Sequence, residues 1–231
     1  KFIFDGYKIY ATVDLDMQRA AYKAFSSNYN LKKREKLNGA LFSIDPSNGY
    51  VKAMVGGKNY KKGEFNRALS ALRQPGSSFK PLVYLAALQK GMEMSSVMED
   101  SPLTTPGWSP KNYDGKFRDS MTLLKAIEIS NNIIPVKILQ YVGVDSVEKI
   151  WRDAGVVGGD FPKDLTLALG SISTKPIDMA LFYAALANGG YQVTPQYIYK
   201  IENKYGEVIY EAKPKRKQVF KSEDVALLTY M

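Results

Sequence analysis

The order of apolar and polar residues predicts mixed α and β structure in the first part of the chain. Residues 7–13 (YKIYATV) alternate as a half-buried strand does, and Asp14 stands where it can cap a helix over residues 15–27. Two apolar runs at 39–45 and 50–57 flank the turn sequence Pro-Ser-Asn-Gly and predict a β-hairpin covered on both faces. We therefore place a strand, a helix and a hairpin here, in that order.

The middle of the chain carries the spacing of apolar residues that is typical of helices. Residues 81–88 (PLVYLAAL) hold no charge on any face, which predicts a helix enclosed by protein. The stretch rich in Pro, Ser and Thr at 94–120 is expected to be a long ordered loop, of the kind that often borders a site. The remaining predicted elements are helices at 121–130, 133–142, 145–155 (capped by Asp145 or Ser146) and 176–190, a hairpin at 196–212 that turns at 204–207, and the start of a helix at 222–231.

Two absences in the composition limit the chemistry, since the sequence has no histidine and no cysteine. Disulfides, thiol nucleophiles, His-based triads and zinc sites of the usual kind are therefore excluded within this chain. A nucleophilic serine would need a lysine, a tyrosine or a carboxylate as its base. Nothing in the sequence requires a cofactor or a metal, and none is expected.

The formal net charge of +9 suggests an anionic environment such as nucleic acid, a lipid surface or a cell-wall polymer. The lysines are spread along the sequence, and the densest cluster, at 213–221, lacks the interleaved aromatic residues of a strand-binding groove. We expect a solvated loop there and no nucleic-acid partner. The sequence shows neither a membrane span nor a signal peptide, so an export signal or anchor is expected to lie outside this chain.

Candidate chemistry is concentrated in residues 73–88 (RQPGSSFKPLVYLAAL). Ser77 and Lys80 are three positions apart, so on a helix they share one face. The Pro-Gly pair before Ser77 places this serine at or next to the helix start, where unpaired backbone N–H groups can hold an oxyanion. One helix end thus offers a nucleophile, a base and half of an oxyanion hole.

Lys80 has to be neutral to act as that base. Moving the pKa of a lysine from about 10.4 to near 7 costs roughly 4 to 5 kcal/mol. A positive charge at a helix start is disfavoured by only about 0.3 to 2 kcal/mol, whereas burial shifts a lysine by as much as about 3 to 5 pKa units. The sequence therefore predicts that Lys80 is buried and partly neutral.

The two short patterns at this candidate site each occur twice, so neither identifies the site by itself. Ser146 and Lys149 also fit Ser-x-x-Lys, but Glu148 stands at capping-box spacing and we interpret that copy as a helix cap. Ser130-Asn131-Asn132 interrupts an apolar helical block, either as part of a site or as a capped break between helices. The same Ser-x-Asn pattern occurs at Ser26-Ser27-Asn28.

Longer blocks resemble the transpeptidase domain of class A, bifunctional penicillin-binding proteins. These blocks run through nearly the whole chain: IYATVDLDMQRAA, GALFSIDPSNGYVKAMVGG, FNRALSALRQPGSSFKPLVYLAAL, NYDGKFRDSMTLLKAIEISNN, ALGSISTKPIDMALFYAALANGG and TPQYIYKIENKYGEVIYE. The resemblance implies an α/β fold of the penicillin-binding-protein and serine β-lactamase type. In that fold an antiparallel sheet covered by helices is joined to an α-helical subdomain, with the active site between them.

The resemblance also assigns roles to individual residues. Ser77 would attack the penultimate D-alanine carbonyl of a peptidoglycan pentapeptide stem, releasing the terminal D-alanine and forming an acyl-enzyme. Lys80 would take the proton of Ser77, and Ser130 would relay a proton to the leaving amine. Asn132 would hold the substrate amide and help position Lys80, and Ser78 is expected to contact the substrate. An amine from a neighbouring stem would then form the cross-link, and a β-lactam would be trapped on Ser77.

By the same resemblance, the site of action is extracytoplasmic, on the periplasmic or cell-wall side of a bacterial cytoplasmic membrane. The full-length protein is expected to carry a membrane anchor and a glycosyltransferase domain upstream of this chain. We expect one transpeptidase domain over residues 1–231, incomplete at its C-terminus. Its expected segments are 1–38 (first strand, helix and charged linker), 39–88 (first hairpin and nucleophile helix), 89–190 (helical subdomain with the long loop) and 191–231 (second hairpin and the start of a helix).

One motif of the family, Lys-Thr/Ser-Gly on a sheet strand lining the site, is missing. Neither Ser-Thr-Lys-Pro at 173–176 nor Lys-Lys-Gly at 61–63 fits it. We expect it beyond residue 231, together with the last strands of the sheet and the second oxyanion donor. Losing one such donor typically reduces the rate by about 10² to 10³, so activity of the chain by itself is left open.

Two other functions are therefore kept as alternatives. A non-catalytic sensor or pseudoenzyme would bind β-lactams or peptidoglycan without turnover. A serine β-lactamase shares the two short patterns but needs a carboxylate to activate the deacylating water. No Glu-x-x-Leu-Asn element follows Asn132, where Glu148 is the only glutamate before Glu202. D-alanine release with cross-linking would indicate the transpeptidase, rapid β-lactam hydrolysis the β-lactamase, and slow ester hydrolysis without transfer the sensor.

Overall fold

A computed structural model of the chain describes residues 6–105, 107–157 and 161–231. Short strands and helices alternate along these ranges. The strands are β1 (Lys8–Ala11), β2 (Leu41–Ile44), β3 (Val51–Val55), β4 (Val97–Asp100), β5 (Asp119–Thr122), β6 (Tyr191–Gln192), β7 (Ile198–Glu202), β8 (Val208–Glu211) and β9 (Lys217–Gln218). The helices are α1 (Leu15–Ser27), α2 (Tyr29–Lys33), α3 (Arg67–Ser70), α4 (Lys80–Gln89), α5 (Leu123–Glu128), α6 (Ile133–Val142), α7 (Val144–Asp153), α8 (Pro176–Ala187) and α9 (Ser222–Tyr230). Two 3-10 turns, Gly76–Phe79 and Leu165–Leu169, complete the set for these ranges.

The chain divides into two compact units. The first comprises the described residues up to Ala71 together with Lys175–Gln218. In it β7 lies between β1 and β8 in a three-stranded antiparallel sheet, and β2 pairs with β3 in an antiparallel hairpin. β6 pairs with β9, α1 packs against β3, and α8 packs against β2. The strand, helix and hairpin predicted for the start of the sequence are all present.

Local polar contacts explain why α1 begins where it does and how it is held. The Asp14 carboxylate accepts hydrogen bonds from the backbone N–H groups of Asp16 and Met17, both at 3.0 Å, so the predicted N-cap is confirmed. One turn into the helix, the Gln18 side-chain amide donates to the Met54 carbonyl at 3.0 Å and accepts from the Met54 N–H at 2.8 Å. This pair of bonds fixes α1 along β3.

The hairpin is less enclosed than its apolar runs predict. In β3 the side chains of Val51, Ala53 and Val55 are buried, whereas the alternate residues Lys52 and Met54 are partly exposed. One face of the strand is therefore in the core and the other is half-covered, as the charge on Lys52 requires. The prediction that both faces are covered holds only for one of them.

The second unit comprises the described residues of Leu72–Thr174 together with Val219–Met231. Its central helix is α4, which packs against α6, α7 and α9. The residues from Leu82 to Ala87 are each at most 1% exposed, as the uncharged sequence of this helix predicts. Just before the helix, the Phe79 ring lies 5.8 Å from Trp151 and 6.2 Å from Phe161, measured between ring centroids. The candidate residues Ser77 and Lys80 thus lie at the start of a helix anchored in the core of this unit.

The prediction of a plain loop at 94–120 is wrong in part. β4 and β5 pair as antiparallel strands, from Val97 opposite Thr122 to Asp100 opposite Asp119. Strands of four residues that mix polar and apolar side chains give no clear alternation, which is why the sequence pattern did not reveal them. The following helix begins at Leu123 and not at 121, because Thr122 ends β5 and accepts from the Lys125 N–H at 3.2 Å as the cap of α5.

The predicted cap of α7 is also wrong. This helix begins at Val144, directly after Gly143, so Asp145 and Ser146 lie inside it. Gly143 has a φ of 82° and both ends α6 and precedes α7, which leaves no position for a polar cap residue between the two helices. The Ser146 hydroxyl instead donates to the Val142 carbonyl at 2.7 Å. Across the described part of the chain, no helix combines the length and the apolar character needed to cross a membrane.

Candidate active site

Ser77 lies in the 3-10 turn that leads into α4, and Lys80 is the first residue of that helix. The turn is entered through Gly76, whose φ of 57° lies in the left-handed region that favours glycine. The Ser77 side chain is exposed, whereas Lys80 is only 2% exposed. The Pro-Gly pair therefore marks a helix start with an accessible hydroxyl and, one turn further on, a buried amine.

The turn that carries Ser77 is seated on a second glycine. Gly170 has a φ of 76°, and a Cβ at this position would lie 2.2 Å from the carbonyl oxygen of Gly76 and 2.7 Å from its nitrogen. Nearby, Arg73 and Thr174 each donate a backbone N–H to the other's carbonyl, at 2.9 and 3.0 Å. Only a residue without a side chain permits this approach of two backbones.

The amine of Lys80 is held by two residues that are distant in sequence. Lys80 Nζ donates to the Ser130 carbonyl at 2.7 Å, to the Ser130 hydroxyl at 3.0 Å and to Asn132 Oδ1 at 2.8 Å. An ammonium group has three N–H donors, and each one has an acceptor here. Among the described residues no carboxylate forms an ion pair with Lys80, so the charge of its ammonium has no counter-ion at the site.

Burial without a counter-ion lowers the pKa of Lys80 from 10.5 to about 8. The cause is desolvation, which disfavours the charged form of the amine. At pH 7 about one Lys80 in ten is then neutral, compared with about one in 3,000 for a lysine that titrates at 10.5. A partly neutral amine one helical turn from an exposed hydroxyl provides the two groups that nucleophilic serine chemistry requires.

The polar triplet between α5 and α6 serves two purposes at once. Its central residue, Asn131, is 3% exposed, and its side-chain oxygen accepts from the N–H groups of Ile133 and Ile134 at 2.8 and 2.9 Å, which caps α6. Its outer residues, Ser130 and Asn132, bind Lys80. Ser130 has a φ of 54°, a left-handed conformation that costs energy for a serine and marks a constrained turn. The interpretation as a capped break is thus confirmed for Asn131, and the interpretation as part of a site stays a prediction for Ser130 and Asn132.

The two serines of the turn differ in their contacts. The Ser78 hydroxyl is exposed and donates to the Pro75 carbonyl at 2.8 Å, which tightens the turn. In the part of the chain that the structure describes, the Ser77 hydroxyl forms no hydrogen bond. The structure therefore brings Lys80, Ser130 and Asn132 into direct contact and leaves Ser77 accessible at the start of the same helix.

Sequence reasoning missed the residues that support this site. Asn132 donates its backbone N–H to Asn112 Oδ1 at 2.8 Å, and Asn112 in turn donates to the carboxylate of Asp100. Asn112 lies within the block NYDGKFRDS, and Gly170 lies within ALGSIS, so both were inside recognised blocks. No spacing rule marks either one, because each acts on a residue far away in the sequence.

A cavity of about 160 Å³ adjoins the Ser130 side of the site. It is lined by Asn112, Tyr113, Asp114, Arg118, Ile129, Ser130 and Asn131. Six of these seven side chains carry polar atoms, so the cavity can accept a group that forms hydrogen bonds.

The second copies of the short patterns form no such site. Lys149 is exposed and pairs with Asp153 one turn further along α7, while Ser146 bonds the helix backbone. Asn28, in the other Ser-x-Asn copy, caps α2 by accepting from the Leu31 N–H at 3.2 Å. Burial and long-range contacts, and not the pattern, distinguish the Lys80 copy.

Comparison with known proteins identifies the family of the chain. The family model "Penicillin binding protein transpeptidase domain" matches residues 39–231. The chain belongs to this family. It is 41% identical over 185 residues to penicillin-binding protein 1A of Neisseria meningitidis and 40% identical over 186 residues to that of Escherichia coli. These matches cover 77% and 78% of this chain but only 23% and 22% of the relatives, so the chain spans about a quarter of their length.

Solved structures of transpeptidase-family proteins show the same fold. The penicillin-binding protein PonA1 from Mycobacterium tuberculosis superposes with a TM-score of 0.88 at 28% identity, covering 97% of this chain and 62% of that one. A structure of PonA1 in complex with penicillin V gives a TM-score of 0.87. Penicillin-binding protein 1A from Haemophilus influenzae gives 0.77 at 33% identity, covering 83% of this chain and 34% of that one. The resemblance to class A penicillin-binding proteins and the expected fold are confirmed.

Proposed function

We propose that this chain carries the acyl-transfer site of a D,D-transpeptidase that cross-links peptidoglycan and is inhibited by β-lactams. The observation that carries the proposal is the buried amine of Lys80, hydrogen-bonded to Ser130 and Asn132 and one turn from the exposed Ser77. The family match and the relatives named penicillin-binding protein 1A support the same activity.

In the proposed first step, Ser77 Oγ attacks the carbonyl carbon of the penultimate D-alanine of a stem peptide. Its proton passes to the neutral amine of Lys80, and the oxyanion that forms is stabilised by backbone N–H groups at the helix start. The carbon–nitrogen bond to the terminal D-alanine then breaks, and the leaving amine takes a proton from the Ser130 hydroxyl. The products of this step are an ester on Ser77 and one D-alanine.

The contacts of Lys80 suggest how the proton leaves the amine. Two of its three acceptors, the Ser130 carbonyl and Asn132 Oδ1, can only accept hydrogen bonds. The third, the Ser130 hydroxyl, can either accept or donate. When Lys80 is neutral, its lone pair can accept from this hydroxyl, so a proton gained by Lys80 can pass to the leaving group through Ser130. The hydrogen bond from Lys80 fixes the side-chain amide of Asn132, and in the proposed complex this amide lies beside the substrate.

In the second step, an amine from a neighbouring stem peptide attacks the ester. It loses a proton to the Lys80–Ser130 pair as the new amide forms, and Ser77 Oγ is protonated again as it leaves. A β-lactam, whose strained amide replaces the D-Ala-D-Ala bond, would acylate Ser77 in the first step and leave no departing amine. The complex of PonA1 with penicillin V supports such binding in this fold.

The contacts of Glu148 argue against a β-lactamase. This residue lies on α7, where Lys163 and Arg152 donate to its carboxylate at 2.6 and 3.1 Å. The bond from Lys163 and then that from Arg152 hold the pKa of Glu148 below its usual value. A carboxylate that is engaged in this way is a poor base for a deacylating water.

The proposal places the site outside the cytoplasm, where peptidoglycan is assembled. Peptidoglycan stems and β-lactams are its proposed ligands, and no nucleic-acid partner is proposed. As the resemblance implies, the membrane anchor and the glycosyltransferase domain would belong to the longer protein.

Intact-mass spectrometry before and after incubation with a penicillin tests the proposal. We expect a single covalent adduct with the mass of the penicillin on the wild-type chain and none on Ser77→Ala. The matched control is Ser146→Ala, which changes the serine of the second Ser-x-x-Lys copy and should leave the adduct intact. An adduct that persists in Ser77→Ala, or that Ser146→Ala removes, would contradict the assignment. Release of D-alanine from a pentapeptide, with formation of a cross-linked dimer, then separates a transpeptidase from a sensor.

A further inference from the structure

The carboxylate of Asp100 lies at the buried end of a chain of hydrogen bonds that leads to Lys80. Asp100 ends β4 and is 0% exposed. It accepts from the Asn112 side-chain amide at 2.9 and 3.1 Å and from the Arg118 backbone N–H at 3.0 Å. Within the described ranges no cation pairs with it. Burying a carboxylate among neutral donors costs free energy of folding, so we expect Asp100 to have a functional role that offsets this cost.

Asp100 determines which way the amide of Asn112 points. Asn112 is 7% exposed, and its Nδ2 donates to Asp100 and, at 2.7 Å, to the Lys116 carbonyl. Both partners are acceptors only, and turning the amide over would set its oxygen against a carboxylate. Asn112 Oδ1 is therefore held in the opposite direction, where it accepts from the Asn132 N–H at 2.8 Å.

The residue next to Asn112 also binds Asn132, through the side chain of Asn132. Its Nδ2 donates to the Lys111 carbonyl at 2.9 Å, while its Oδ1 accepts from Lys80. The backbone and the side chain of Asn132 are thus each bound by one of two adjacent residues, Lys111 and Asn112. Neither contact involves the helices that carry Ser77 and Lys80.

We propose that Asn112, oriented by Asp100, is a positioning residue that holds Asn132 against Lys80 during acyl transfer. This inference rests on the proposed function, because it assigns Asn112 a part in that reaction. Fully satisfied buried networks fix one geometry, and a displacement of about 1 Å at a reacting group typically reduces a rate by about 10². Asn112 itself reaches Lys80 only through Asn132.

Three variants separate positioning from stability. Asn112→Leu removes the acceptor of the Asn132 N–H but leaves Asp100 buried without its amide donor, so it should be both slow and unstable. Asp100→Leu with Asn112→Leu removes the uncompensated carboxylate, which recovers part of the stability, but the Asn132 N–H still lacks its acceptor and positioning is not recovered. Asp100→Asn is the conservative variant: its side-chain oxygen can still accept from the Asn112 amide and the Arg118 N–H, so it should keep both the rate and the fold.

The rate of acylation is measured with a fluorescent penicillin at saturating concentration, alongside the melting temperature. We expect both leucine variants to acylate about 10- to 100-fold more slowly than wild type, with little change in penicillin affinity. The Asp100→Asn variant should acylate within about threefold of wild type. If the double leucine variant regains the rate, Asn112 has a structural role only and the inference is wrong. An Asp100→Asn variant that folds but acylates slowly would mean that the charge of Asp100, and not its hold on Asn112, sets the rate, which would also overturn the inference.

The pKa of Lys80, followed by NMR of ¹³Cε-labelled lysine, gives a readout that does not depend on turnover. The titratable Tyr84 lies one turn along α4, and Asp100 reaches Lys80 only through Asn112 and Asn132. In the described residues no other charged group makes an ion pair or hydrogen bond with the amine. Losing the Asn132 acceptor removes a bond to the ammonium form, so the pKa of Lys80 should fall in the leucine variants and stay close to its wild-type value in Asp100→Asn.

The two readouts distinguish failure of this inference from failure of the proposed function. A wild-type chain that forms no penicillin adduct, combined with the expected changes in the pKa of Lys80, would refute acylation by this chain and leave the positioning intact. A chain that forms the adduct, but whose leucine variants change neither the rate nor the pKa of Lys80, would refute the positioning role alone.

Discussion

The rate of Ser77 acylation should follow the titration of Lys80. Burial lowers the pKa of Lys80 from 10.5 to about 8, a difference of about 2.5 pKa units, or about 3.4 kcal/mol. The neutral amine is then about 300 times more abundant at pH 7 than for a lysine that titrates at 10.5. Because the charged form predominates below the pKa and only the neutral form can accept a proton, the rate should rise with pH.

The assay is the first-order rate of labelling by a fluorescent penicillin between about pH 6 and pH 10. We expect the rate to rise about tenfold per pH unit at low pH and to level off above about pH 8. Direct titration of ¹³Cε-labelled Lys80 should give the same midpoint. The matched control is Lys149→Met, in the exposed second copy of the pattern, which should leave the profile unchanged.

Two results would refute this reasoning. A rate that does not depend on pH over this range would mean that proton transfer to Lys80 does not limit acylation. A midpoint near 10.5 in both the rate and the NMR titration would mean that Lys80 is not desolvated. Either result would refute the link between the titration of Lys80 and the acylation rate, whatever the fate of Ser77 as the nucleophile.

Three further predictions concern the residues around this pair. Gly170→Ala should displace the Gly76 backbone and slow acylation by about 10-fold or more. The control is Gly143→Ala. Gly143 also has a positive φ, but a Cβ there would meet no atom within 4 Å, so this variant should lower only the melting temperature. Asn131→Ala removes the α6 cap, so it should lower the free energy of unfolding by about 1 kcal/mol and the melting temperature by about 2 to 4 °C. The pKa of Lys80 should not change, and a shifted NMR titration of Lys80 would disprove the view that Asn131 acts only on stability. Ser130→Ala should slow acylation by about 10² or more, because it removes the one partner of Lys80 that can donate a proton; a rate within threefold of wild type would exclude the relay.

Local signals in the sequence were sufficient for most helices and for the hairpins. Asp14 caps α1 as predicted, because an N-cap contact is made between residues two and three positions apart. The uncharged sequence of α4 indicated its burial, and the burial of Lys80 followed from its place at the start of that helix. Local signals failed where two helices follow each other without a linker. Asp145 and Ser146 were predicted as caps, but they lie inside α7, which begins directly after Gly143.

At the candidate site, too, some features follow from local sequence patterns and others only from packing. The pattern of residues identified Ser77, Lys80, Ser130 and Asn132 as candidates, the family resemblance added Ser78, and the roles of all five remain predictions. It could not separate the Lys80 copy of Ser-x-x-Lys from the Lys149 copy, because their spacing is identical. Burial and three bonds from distant residues make that distinction, and both are properties of packing.

The sequence by itself therefore determined most of the helices, the two predicted hairpins, the exclusion of histidine and cysteine chemistry, and the family. The tertiary structure alone decided that Asn112 and Asp100 support Asn132 and that Gly170 seats the turn of Ser77. The physical reason is the separation in sequence between the residues that interact. Capping, turn formation and amphipathic spacing act between residues a few positions apart and leave a periodic trace in the sequence. Desolvation of Lys80, the orientation of an amide and the close approach of two backbones depend on residues tens of positions apart, whose meeting is fixed only when the chain has folded.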